Sequence, residues 1–188
     1  LPDNLTSGRL MATFTNQYKI KFGNLAYGCH HFDFKMTDRF FEYFQNPEFT
    51  AGNFAAEIQL EKKRDHMACK CMITGTINIM CDRCLEYFDL PVYYEGLLYL
   101  KYTRGEKDDD ADVIYLDEQD HEVNLAQYFY ESICLSIPFK RVHADDKNGN
   151  STCNKKMLDK LKEHSPPEQK QEYGQLWNKL KNLIDNQN

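Results

Sequence analysis

Two periods run along this chain, and the change from one to the other divides it. From Gln17 to Phe22 and from Cys29 to Met36 apolar and polar residues alternate, which predicts two short strands. Thr37 or Asp38 caps a short helix through Phe40, Phe41 and Phe44 that ends near Asn46-Pro47. Alternation resumes at Phe54–Lys62, with Phe54, Ala56, Ile58 and Leu60 on one face, and again over Met67–Met80, with Cys69, Cys71, Ile73, Gly75, Ile77 and Ile79 in phase. A tight Cys81-Asp-Arg-Cys84 follows, then a strand pattern from Leu85 to Tyr102 in which Pro91 marks an edge or a bend. Val113–Leu116 is one more short strand. Short connections predict antiparallel pairing.

After residue 122 the period lengthens. Leu125, Tyr128, Phe129, Ser132, Ile133 and Ile137 fall at helical spacing, with entry at Asn124 and a stop at Pro138. Lys140–Thr152 reads as a polar loop and Asn154–Glu163 as a lysine-rich helix. Ser165-Pro-Pro-Glu168 is a capping box opening a last amphipathic helix with Tyr173, Leu176, Trp177, Leu180, Leu183 and Ile184 on one stripe. The expected fold is therefore α+β: an antiparallel β-rich domain, then a helix, a Cys/His metal loop and C-terminal helices. Residues 1–10 are expected to be a leader or an extension before a start at Met11, residues 11–164 the domain, and 165–188 the C-terminal helix.

With 188 residues, 41% apolar and 13% aromatic, the chain has material for one packed core and excludes wholesale disorder. No apolar run reaches membrane-spanning length, so no membrane partner is expected. Nine acids against one lysine between Glu106 and Glu122 give a local −8 within a total of −6, so the rest is slightly basic. Seven lysines and arginines against three aspartates between Pro138 and Lys162 give a local +4. That balance argues against a surface that coats nucleic acid broadly and allows a local basic patch.

The seven cysteines point to a reducing, cytoplasmic setting and to metal or catalysis before disulfides. Cys81-x-x-Cys84 is the sharpest signal, because two thiolates three positions apart on a tight turn reach one tetrahedral Zn²⁺. A structural site needs two more ligands. His143 and Cys153, which bound the polar loop, are the candidates. Cys69 and Cys71, one residue apart in a strand, and Cys134, in an apolar helix, read as core. A redox dithiol, a vestigial zinc site and plain core cysteines are the alternatives; against the first, the pair does not open a helix in a βαβ pattern. No G-x-S-x-G, H-E-x-x-H or phosphate-cradling glycine loop is present, so an enzyme with a small-molecule substrate is not expected.

Cys81-Asp-Arg-Cys84-Leu-Glu86, Tyr94-Glu95, Glu131-x-Ile-Cys-Leu-Ser-Ile-Pro138, Val142-His143 and Cys153, in that order, resemble the YceD family, named for large ribosomal RNA subunit accumulation. Asn124–Glu131 and Lys140–His143 are most similar to members from Bacteroidetes-type bacteria. The resemblance implies a bacterial, non-enzymatic factor for large-subunit ribosomal RNA, at precursor processing or early 50S assembly. It also implies zinc ligands at Cys81, Cys84, His143 and Cys153, while the long insertion Asp145–Gly149 departs from the family pattern. Zinc would order a loop presenting Lys140, Arg141, Lys155, Lys156, Lys160 and Lys162 to RNA phosphates of the precursor or pre-50S particle. The rival reading is an adaptor whose acidic loop holds a basic ribosomal protein and whose Trp177 helix docks.

Overall fold

The computed structural model describes residues 14–49, 51–103 and 112–165. The expected leader and the Trp177 helix lie outside them, as do residues 106–111 of the acidic loop. The chain divides into two units, Leu1–Thr152 and Cys153–Asn188. Described elements of the first are a 3₁₀ turn, Asn16–Tyr18, and strands β1 (Lys19–Lys21) and β2 (Gly28–Met36). Helix α1 (Asp38–Phe44), strands β3 (Gly52–Lys62), β4 (His66–Met80), β5 (Tyr87–Tyr102), β6 (Val113–Leu116) and β7 (Glu122–Asn124), and helix α2 (Ala126–Ser136) follow. In the second, α3 (Lys155–His164) is described, with the Asn154 side chain accepting from the Lys156 and Met157 amides.

Five strands form one sheet in the order β2-β3-β4-β5-β6, and β1 pairs with β7. From β2 to β5 all pairing is antiparallel and the register never slips: Phe32 faces Ile58, Ile58 faces Cys71, and Cys71 faces Gly96. One face is therefore apolar along the whole sheet. Phe54, Ala56, Ile58 and Leu60 of β3, Cys69, Cys71 and Ile73 of β4, and Leu98 and Leu100 of β5 are buried. Glu57, Gln59, Lys70 and Thr74 between them face water. A sheet covered on one side only must alternate in this way. Burial pushes the Cys69 and Cys71 thiols up to about 12, so both are inert core residues.

Helix α2 covers the apolar face against β5. Phe129 is fully buried, with its ring 5.3 Å from that of Phe34 and 6.3 Å from that of Tyr18. A hydroxyl pair, Tyr94 to Tyr128 at 2.9 Å, ties strand to helix. Gly96 makes room for it, because a Cβ there would overlap the Tyr94 ring.

Some expectations need correction. Pairing is not antiparallel throughout: β6 runs parallel to the end of β5, with Tyr99 facing Val113 and Tyr102 facing Leu116. Ten residues, 103–112, separate the two strands in sequence. Because β6 touches only residues 99–102, Pro91 lies where no described strand pairs with the far side of β5, as a residue without an amide hydrogen requires. The first strand is shorter than its alternation suggests, since a 3₁₀ turn takes Asn16–Tyr18. Cys134 is only half-buried. Among the described residues, no helix is long and apolar enough to cross a membrane.

Candidate metal centre

The long β4–β5 ladder fixes the first half of the site. Met80 pairs with Tyr87, so the six residues Cys81–Glu86 must turn the chain within one strand spacing. Cys81 N donates to Glu86 O at 2.9 Å and Leu85 N to Cys81 O at 2.9 Å. Closure also needs a left-handed residue, and Leu85 takes it at φ 60°. Within this turn Cys81 and Cys84 are both fully buried.

The second half arrives from α2. Pro138 ends the helical path, and the chain then runs beside the turn as an extra strand would. Asp82 N donates to Arg141 O at 2.7 Å, and Arg141 N donates to Asp82 Oδ2 at 2.7 Å. The Arg141 guanidinium adds a bond from Nη1 to Glu48 Oε2 at 2.9 Å and an ion-pair contact from Nε to Asp82 Oδ1 at 3.4 Å. Two residues on, the His143 ring packs on Phe88 with centroids 4.5 Å apart, and its Nδ1 lies 3.5 Å from Cys84 Sγ.

The segment after His143 folds into a miniature hairpin. Asp145 and Ser151 form an antiparallel bridge. Asp146 Oδ1 accepts from the amides of Asn148 and Asn150, both at 2.8 Å, and Gly149 turns at φ 80°. Thr152 Oγ1 donates to Ala144 O at 2.6 Å, and Arg83 Nη1 to Ser151 Oγ at 3.1 Å. The segment thus returns the chain close to where it left, and buried Cys153 comes next.

The result is a cluster of Cys81, Cys84, His143 and Cys153 in which one ligand atom from each lies within 4.8 Å of all the others. Four ligands around a tetrahedral Zn²⁺ stand about 3.8 Å apart when the bonds are near 2.3 Å, so the spacing suits an ion of that size. Three sulfurs and one imidazole nitrogen suit zinc in chemistry as well, and four protein ligands leave no open position for catalysis. Burial disfavours the Cys81 thiolate, but the amides of Cys84, Arg83 and His143 and the His143 side chain outweigh it and bring the thiol down to about 6. At neutral pH Cys81 is then a thiolate, the form that binds metal.

The remaining expected residues are dispersed. Lys140, Lys155, Lys156, Lys160 and Lys162 are all exposed. Arg141 differs: only 27% of its side chain is exposed, and it is engaged by Glu48 and Asp82. Sequence reasoning missed Phe88, Asp82 and Asp146, which position the ligand-bearing segments: Phe88 packs on His143, Asp82 holds Arg141 and Asp146 shapes the turn before Cys153. Of these only Asp146 carried a signal, in the turn-forming run Asp146-Lys-Asn-Gly149.

A family model described as "Large ribosomal RNA subunit accumulation protein YceD" matches residues 69–184, more than half of the chain. The chain belongs to the YceD family. Comparison with curated proteins and with solved structures gave no match. The family match begins inside β4 and takes in the turn, α2 and the whole Cys/His cluster, while β1–β3 precede it.

Proposed function

We propose that this YceD-family chain is a non-enzymatic, cytoplasmic factor that supports accumulation of large-subunit ribosomal RNA, at precursor processing or early 50S assembly. The observation that carries the reading is a closed Cys₃His cluster, without an open coordination position, inside a region matched by a family named for that accumulation. In this proposal zinc on Cys81, Cys84, His143 and Cys153 is structural. It holds the turn and the Arg141–His143 segment in one arrangement.

Lys140 and the α3 lysines Lys155, Lys156, Lys160 and Lys162 would contact phosphates, which fix position without reading sequence. Arg141, which its charge alone would place with them, is bound to Glu48 and Asp82 and serves in the proposal to hold the His143 segment. Changing Lys140, Lys155, Lys156 and Lys160 to Ala should weaken association with pre-50S particles several-fold. It should also flatten the salt dependence by about one log unit per lost phosphate contact. Co-sedimentation across a salt series measures both. Equal profiles for the wild type and the four-Ala variant would remove the RNA contact.

A further inference from the structure

We propose that Asp82 and Arg83, the two residues between the paired cysteines, are positioning residues that assemble the metal centre before an ion reaches it. The proposal rests on the reading of Cys81, Cys84, His143 and Cys153 as zinc ligands. Three pieces of chain supply those ligands: the Cys81–Cys84 turn, the Arg141–His143 segment and the Ser151–Cys153 segment. Each pair of pieces is joined by a side-chain hydrogen bond that involves no metal. Asp82 Oδ2 accepts from Arg141 N at 2.7 Å, which joins the turn to the first segment. Arg83 Nη1 donates to Ser151 Oγ at 3.1 Å, which joins the turn to the second. Thr152 Oγ1 donates to Ala144 O at 2.6 Å, which ties the chain beside His143 to the chain beside Cys153.

The two contacts of the turn fall at the same offset from a ligand. Arg141 stands two residues before His143, and Ser151 two residues before Cys153. Without these ties an ion would itself have to close the 59-residue separation between Cys84 and His143, and then the shorter loop to Cys153. Ordering those loops would oppose binding. With the ties, the ordering belongs to folding, and the ion meets ligands that the chain has already brought together.

Arg83 suits this task for a second reason. A serine hydroxyl could be met by a neutral side chain, but a divalent ion on three thiolates and a neutral imidazole carries one net negative charge. Arg83 brings a permanent positive charge to the turn that holds two of those thiolates. The residue is fixed at both ends, because its own amide bonds the Cys81 thiolate while its guanidinium reaches Ser151.

The test uses the full chain, reduced and stripped of metal, with cobalt(II) as the probe, since tetrahedral thiolate ligation gives cobalt an intense visible spectrum. The wild type should develop that spectrum at one cobalt per chain. Before cobalt is added, residues 144–153 should already be protected from hydrogen exchange. Arg83→Ala should weaken cobalt binding about tenfold and speed that exchange by a similar factor. Its metal-free form should still melt within about 2 °C of the metal-free wild type. Ser151→Ala should match Arg83→Ala, and the double variant should lose no more than either, because one contact is removed in all three. Arg83→Lys should recover part of the loss, and Asp82→Ala should lose a factor like that of Arg83→Ala. A wild type that never develops the thiolate spectrum overturns the zinc reading and this proposal with it. Cobalt binding by a wild type whose residues 144–153 exchange like an unfolded chain beforehand overturns this proposal alone. So does an Arg83→Ala variant that binds cobalt as the wild type does, or a double variant whose loss is the product of the two single losses.

Discussion

Replacing Cys84 by Ser should abolish stoichiometric zinc and lower the melting temperature by about 10 °C or more. Cys84 is fully buried, and its sulfur faces His143 from 59 residues away in sequence. A serine hydroxyl is a poor zinc ligand, and without Cys84 three ligands remain in a buried site, two of them thiols. Structural zinc is worth about 10–16 kcal/mol to peptides that fold only around the metal. This unit has its own sheet core, so only part of that is expressed as stability. A loss of about 4 kcal/mol, at about 2–4 °C per kcal/mol for a chain of this size, gives the stated shift. Elemental analysis beside thermal melting checks both halves. Cys29→Ser, at an exposed position of β2, is the control and should change neither. Chelation of the wild type should reproduce the melting shift.

The second large effect lies away from the metal. Phe129→Ala should destabilise the protein by about 3–5 kcal/mol, a range typical of buried Phe truncation. Phe129 is 0% exposed and joins Tyr18, Phe34 and Tyr128 in one aromatic cluster between α2 and the sheet. The cavity it leaves is walled by strands in a regular ladder, which cannot collapse into it without breaking register. Melting should fall by about 10 °C. Leu135→Ala, on the exposed side of the same helix, should shift it by less than about 2 °C. Because α2 leads directly into the segment that ends at His143, Phe129→Ala should also speed zinc transfer to a chelator, while Leu135→Ala should not.

These two residues mark where the sequence was readable. Phe129 declared itself by helical spacing, and the strands by a strict period of two, because each faces one core and one solvent. Cys81 and Cys84 stood out by separation, and His143 and Cys153 by residue type at the edges of a polar loop. All four then come together. What stayed hidden depends on the third dimension. The parallel pairing of β6 is a matter of strand direction in the sheet, which periodicity does not encode. Asp145–Gly149 reads as a plain polar loop, but the Asp146 side chain folds it into a hairpin that ends at Cys153. Arg141 looked like one more member of a basic patch, because charge counting along a chain cannot show that Glu48 and Asp82 will meet it. Leu85 gave no sign of its positive φ, since a turn at that point normally advertises itself with Gly or Asn.

The central claim is that one zinc ion closes this cluster. Zinc-edge X-ray absorption on protein purified without added metal, with the zinc-to-chain ratio measured on the same sample, tests it most directly. One zinc per chain is expected, with three sulfurs at about 2.3 Å and one nitrogen at about 2.0 Å. A metal-free protein that melts at the same temperature with and without added zinc would contradict it, as would a first shell with fewer than three sulfurs.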